Sequence, residues 1–209
     1  VGETFNDNAP KQFRFSDPQL IVSEPASFEI YAIARAGVTS LFNINIANQS
    51  FQLPIGSTVL SRYEVGFGRL NRNTFDFTPN STDLNFSISY SKPQSVAIGW
   101  LNYISVNYRS RLNLSLDQMQ FRDVESVGPN EVGEFLLTSN AATIPRVWDL
   151  SDEFNVVELT LSQQGNQFSF INPTSQLREY AAFRNPDTLG VVPIGRVANQ
   201  NLHALPQAD

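Results

Sequence analysis

The chain has 209 residues but no cysteine, a single methionine and a single histidine. Without cysteine there is no disulfide, no thiolate metal site and no thiol nucleophile. Lysine occurs only at Lys11 and Lys92, and charged residues of both signs make up 16% of the chain. No basic run can follow a phosphate backbone, and the net charge is −6, so nucleic acid is not expected as a partner. No apolar stretch approaches the roughly 20 residues that span a bilayer as a helix. Val1 opens the chain with neither Met nor a signal peptide, so the natural N-terminus is expected to have been removed or to lie further upstream.

What is present is a globular composition. Hydrophobic residues are 41% of the chain, aromatics 11%, and phenylalanine alone occurs 16 times. At this length about 70% of the unfolded surface can be buried, enough for a core that needs no covalent staples. The dominant period is two: Phe42–Ile46, Asn85–Tyr90, Leu112–Leu116 and Val157–Leu161 each alternate apolar and polar side chains. Alternation marks half-buried antiparallel strands. Further strands are expected over Phe28–Arg35, Phe75–Phe77, Ser95–Tyr108, Gly133–Leu137, Arg146–Asp149 and Gln167–Ile171. Turn signals separate them at Ala36-Gly37, Pro79-Asn80-Ser81, Lys92-Pro93, Gly128-Pro129-Asn130 and Gln164-Gly165-Asn166, the last reading as a hairpin.

Many short strands joined by turns predict an all-β fold, an antiparallel β-sandwich of jelly-roll-like character. Residues 1–184 form either one sandwich or two packed sub-sandwiches, about 1–110 and 111–184. Residues 185–209 read as a connector, with one edge strand over Val191–Ile194. Thr174–Phe183 fits a capped helix or a strand, and periodicity leaves the choice open.

The sequence assigns no catalytic, cofactor-binding or metal-ligating residue. His203, in the connector, has no neighbours at ligand or base spacing. Asp117, Asp123, Glu125, Asp149, Asp152 and Glu153 lie mostly beside turns, where carboxylates bond the backbone, and no spacing singles out a hydrolytic pair. Asp149–Glu153 lacks the glycine-turn pattern of a calcium loop. Gly66-Phe67-Gly68 has no phosphate-loop context, and no Gly-x-Ser-x-Gly elbow occurs. Trp148 and Tyr103 are the two aromatic positions that bear on glycan stacking. Trp100 is expected in the core on one face with Ile98, Ile104 and Val106, whereas Tyr103 takes the opposite face. Either Val147 or Trp148 must point out of its strand.

Ile144-Pro145-Arg146-Val147-Trp148-Asp149-Leu150-Ser151-Asp152, followed by Val156–Leu159, resembles a signature upstream of the catalytic domain in the gingipain family of cysteine peptidases. More narrowly it resembles the PorU-type sortases of the type IX secretion system. Phe168-Ser169-Phe170, Glu179-Tyr180-Ala181-Ala182-Phe183 and Gly99–Arg109 match further family stretches, and Gln200–Asp209 resembles the run-in to the peptidase domain. The resemblance spans about residues 84–209 and favours a strand over Gln176–Phe183. It implies a β-sandwich region preceding a caspase-like domain whose catalytic Cys and His lie beyond Asp209. The activity it implies for the parent is removal of C-terminal secretion signals from cargo. The partners it implies are the chain's own catalytic domain, other secretion components and cargo C-terminal domains, at the outer-membrane surface. A carbohydrate-binding module or an adhesin-like structural domain is the alternative. Asp187-Thr188-Leu189 also resembles an O-glycosylation acceptor of Bacteroidota.

Overall fold

The computed structural model describes residues 2–61, 66–140, 143–184 and 195. Within them the chain is all-β, its sheets are antiparallel, and no helix occurs. It divides into two compact units, Val1–Asn113 and Leu114–Asp209. His203, Val191–Ile194, Asp187-Thr188-Leu189 and nearly all of the connector lie outside the described residues.

The first unit holds β1 (Glu3–Phe5), β2 (Lys11–Ser16), β3 (Ala26–Arg35), β4 (Ser40–Ile46), β5 (Gln49–Ile55), β6 (Arg69–Phe77), β7 (Asp83–Ser91) and β8 (Ile98–Asn107). Its two sheets run β1-β8-β3-β6 and β2-β7-β4-β5. Strands pair as first with eighth, second with seventh, third with sixth and fourth with fifth. That is one long antiparallel ribbon, rolled so that β3 also meets β8 and β4 meets β7. The result is a jelly roll of two four-stranded sheets.

The sequence pattern explains the layering. In β3, Ala26, Phe28, Ile30, Ala32 and Ala34 are buried, while Ser27, Glu29, Tyr31, Ile33 and Arg35 face outward. In β7, Leu84, Phe86, Ile88 and Tyr90 supply the facing layer. Rings interlock between the sheets: Phe28 meets Phe86 at 5.2 Å and Phe51 at 5.2 Å, and Phe5 meets Phe42 edge-on at 5.4 Å. Edge-to-face contacts of this kind add roughly 0.5–1.5 kcal/mol each beyond area burial.

The second unit comprises β9 (Gln118–Phe121), β10 (Val132–Thr138), β11 (Arg146–Asp149), β12 (Val157–Leu159), β13 (Ser162–Gln164), β14 (Gln167–Pro173) and β15 (Tyr180–Phe183). Its sheets run β10-β14-β13 and β12-β11-β15-β9. Between them sits an aromatic cluster. Tyr180 lies 5.0 Å from Phe135, 5.1 Å from Phe170 and 5.3 Å from Phe121, and Phe135 stacks on Phe170 at 5.0 Å.

Of the two readings left open for Thr174–Phe183, the strand that the resemblance favours is the one found, as β15: Tyr180 and Ala182 alternate inward with no exposure and the strand bonds neighbours on both sides. The expectation of a strand over Leu112–Leu116 needs correction. That stretch spans the passage between the units, where Leu114 donates its N–H to the Thr138 carbonyl at 2.8 Å and Leu116 is exposed.

Candidate functional site

Local roles account for several of the carboxylates weighed as chemical candidates. Asp117 pairs with Arg184 at 3.6 Å, Asp123 accepts the Glu125 amide at 3.1 Å, and Asp152 caps its own turn by accepting the Phe154 amide at 3.0 Å. Glu153 is exposed on the same turn. Among the described residues no three His, Cys, Asp or Glu side chains group so as to hold a metal ion.

Asp149 differs, being a buried carboxylate. Strand β11 turns Val147 and Asp149 inward and Arg146 and Trp148 outward. Asp149 accepts the Ser151 amide at 3.0 Å, the Ser151 hydroxyl at 2.5 Å and the Asn172 amide group at 2.9 Å, with Arg178 at 3.5 Å. Burial by itself would raise its pKa. The Ser151 bonds, the Asn172 bond and the Arg178 charge outweigh that and hold the carboxyl below its ordinary value. Asn172 also donates to the Tyr180 hydroxyl at 3.1 Å, and Ser151 accepts the Glu179 amide at 3.0 Å. The Asp149 carboxylate therefore ties the β11–β12 connection to β14 and to the approach to β15.

On the outer side, Trp148 meets Phe183 edge-on at 4.7 Å and Arg146 lies 5.6 Å over its ring. Arg146 is itself fixed by a two-pronged bond to Glu158, at 2.7 and 2.5 Å. That bond holds the Glu158 carboxyl below its ordinary pKa. Trp148 is thus engaged by its own neighbours.

The outer face of β1-β8-β3-β6 carries the second aromatic position. Opposite each other stand Tyr31 and Tyr103, edge-to-face at 5.6 Å, and Arg72 faces Tyr31 from β6. The Tyr103 hydroxyl donates to Glu29, which raises the phenol pKa, while Arg72 opposes the rise. Tyr103 is 38% exposed, on the face opposite the buried residues of this sheet.

Trp100 is the surprise on this face. A register shift between Tyr31 and Ala32 leaves Asn102 unpaired, so β8 carries a bulge. N-terminal to the bulge Gly99 and Leu101 point inward; beyond it Ile104 and Val106 do. One extra residue reverses the parity. Trp100 therefore leaves the core face and joins Tyr103 outside, half-buried and 6.0 Å from Phe67.

An open recess of about 380 Å³ lies at one end of β4 and β7, lined by Asn8, Ser40, Ser89, Ser91 and Lys92 among others. The Lys92 ammonium already donates to the Asn6 carbonyl at 2.7 Å.

No protein-family model and no curated protein matches the chain. Among solved structures it is similar to dimeric latent PorU from Porphyromonas gingivalis, with a TM-score of 0.72 and 17% identity. That alignment covers 99% of this chain and 20% of the other, so the chain spans about a fifth of that protein's length. The likeness establishes a common fold across both units. A Paenibacillus cycloisomaltooligosaccharide glucanotransferase complexed with cycloisomaltoheptaose aligns at 10% identity over 82% of this chain and 40% of its own, with a TM-score of 0.28.

Proposed function

We propose that the chain is a non-catalytic accessory region of a PorU-like cell-surface sortase of the gingipain family. Its role would be to hold the peptidase domain in place and to offer surfaces to cargo C-terminal domains or other secretion components at the outer membrane. The observation that carries this reading is the fold shared with PorU over 99% of the chain. The motif geometry is consistent with it. The Arg146–Asp149 stretch serves architecture: Asp149 is satisfied by protein donors, and Trp148 is engaged by Arg146 and Phe183. A buried carboxylate with that many donors is an organiser of loops, not a group free to exchange protons with a substrate.

The test begins with the coding sequence beyond Asp209. A following α/β domain with a histidine and then a cysteine nucleophile supports the proposal, and a stop codon or unrelated β modules overturns it. Incubating the purified chain with a cargo C-terminal domain tests the non-catalytic part, since cleavage by this chain alone would remove it.

A further inference from the structure

The aromatic face of the jelly roll has no part in that reading. We propose that the outer face of β1-β8-β3-β6, centred on Tyr31, Tyr103 and Trp100, binds a neutral oligosaccharide.

The register builds the platform. Tyr31 stands opposite Tyr103 and Ile33 opposite Trp100, so two cross-strand pairs line the middle of the sheet as a short row of ring and aliphatic surface. The bulge at Asn102 is what brings Trp100 onto the same face as Tyr103. Without it the two residues, three apart, would point to opposite sides. Strand neighbours are about 4.8 Å apart and same-face residues roughly 6.6 Å apart, dimensions of the order of a sugar ring. A pyranose offers an apolar C–H face that lies against an aromatic ring and a rim of hydroxyls that need donors and acceptors.

This face supplies both. Glu29 is an acceptor held at the Tyr103 hydroxyl, and the Arg72 guanidinium faces Tyr31. Thr74 lies opposite Glu29 on β6, and Ser105 opposite it on β8.

Charge selects the class of ligand. Outward-facing Arg35 and Arg72 are balanced by Glu29 and Asp76, which gives an anion or a cation no net advantage. A phosphate-rich or anionic surface is therefore not favoured. A flat protein partner is disfavoured by a different term. It would desolvate Glu29 and Arg72 at the centre of the patch, and buried charges are costly unless every lone pair and proton is matched. Sugar hydroxyls replace the water on those groups while leaving them hydrogen-bonded.

The experiment is calorimetric titration of the purified chain with cello-, xylo-, manno- and maltohexaose, each checked by tryptophan fluorescence. At least one is expected to bind, with affinity reduced at least tenfold by Tyr103→Ala and by Arg72→Ala. Both side chains are on the outer face, so both variants are expected to fold; Tyr103→Ala melts somewhat lower for its lost contact with Tyr31, and binding is compared well below both transitions. Trp100→Ala should abolish binding, and Trp148→Phe, in the other unit, should leave it unchanged. The proposal is overturned if no hexaose binds at millimolar concentration, or if Tyr103→Ala and Arg72→Ala bind as the parent does. It is equally overturned if the chain sediments as a dimer that Tyr103→Arg dissociates while no sugar binds, because the face would then belong to a protein contact.

Discussion

Gly99 sits on the inner side of β8, opposite Phe5, at a place where the jelly-roll interior is closed by rings. A Cβ there would come within 2.7 Å of the Phe42 Cζ and 3.0 Å of two Tyr90 ring carbons, where ordinary contact is 3.4–4 Å. Neither ring can swing into solvent. Both are fully buried, Phe42 is locked edge-on against Phe5 at 5.4 Å, and Tyr90 lies 5.0 Å from Phe42. Overpacking of this kind costs about 1–3 kcal/mol. Alanine returns about 0.4–1 kcal/mol by restricting the unfolded chain. Gly99→Ala is therefore expected to lose about 1–2 kcal/mol net, a fall in Tm of about 4–8 °C per kcal/mol for a unit near a hundred residues. Denaturant unfolding followed by tryptophan fluorescence reads this directly. Gly56→Ala is the control: nothing lies within 4 Å of its added carbon, so it should be neutral or slightly stabilising. Phe42→Leu supplies the decisive comparison. If the clash is with that ring, Gly99→Ala should cost at least about 0.5 kcal/mol less in the Phe42→Leu background. A Gly99→Ala chain as stable as the parent, or strict additivity with Phe42→Leu, would refute the packing argument.

Phe28→Ala should be among the most damaging single changes in the first unit, about 3–5 kcal/mol, because Phe28 is fully buried against Phe51, Phe75, Phe77 and Phe86; a chemical-denaturation loss under about 1 kcal/mol would contradict it. Asp149→Ala strands the donors of Ser151 and Asn172 and should cost about 1–3 kcal/mol. Because the folded-state pKa of Asp149 is depressed, its contribution is present above the unfolded carboxyl value near 3.9 and disappears as pH falls through the folded value. Melts of the parent and of Asp149→Ala should accordingly converge in acid and separate toward neutrality. Tyr108 has the opposite sign: burial, then its bond to Asp17 at 2.7 Å, raises its pKa well above that of a free phenol. Its contribution is full below about pH 10 and is lost as pH rises through the folded value, so Tyr108→Phe should flatten the alkaline limb of the stability profile.

The strands that were legible are those whose alternation is unbroken and whose ends carry ordinary turn residues. Phe28–Arg35, Asn85–Tyr90 and Gln167–Ile171 are of this kind, and Gln164-Gly165-Asn166 announces its hairpin with a glycine at φ +64°. Others hide for identifiable reasons. The β4–β5 hairpin turns on Ala47-Asn48, both at positive φ, as a tight turn of this hand requires, but alanine is not a residue that signals it. Strand β5 carries Pro54, tolerated because the strand lies at a sheet edge. Strands β1 and β13 are three residues long and leave almost no period to read.

The outward aromatic face was half legible. Parity alone put Tyr103 on the face opposite Ile104 and Val106, but neither its exposure nor the turning-out of Trp100 could be read from it. Periodicity carries no record of an extra residue until the partner strand is known, and the Asn102 bulge is visible only in the pairing with β3. The Asp149 centre was hidden differently. Its donors come from positions 151, 172 and 178, and nothing in their spacing shows that the strands converge on one carboxylate.

The nested pairing of the first unit also dictates an order of events at the ribosome. Its innermost turn, at Ala47-Asn48, emerges early, but β1 and one side of β3 have no partner until β8 has left the exit tunnel. For the time it takes to translate the residues from Arg35 to Asn107, the apolar strand Ala26–Arg35 has an unsatisfied backbone edge and competes for intermolecular pairing. A nascent chain halted before Ile98 should thus need a chaperone, whereas one released just past Asn107 can close by itself.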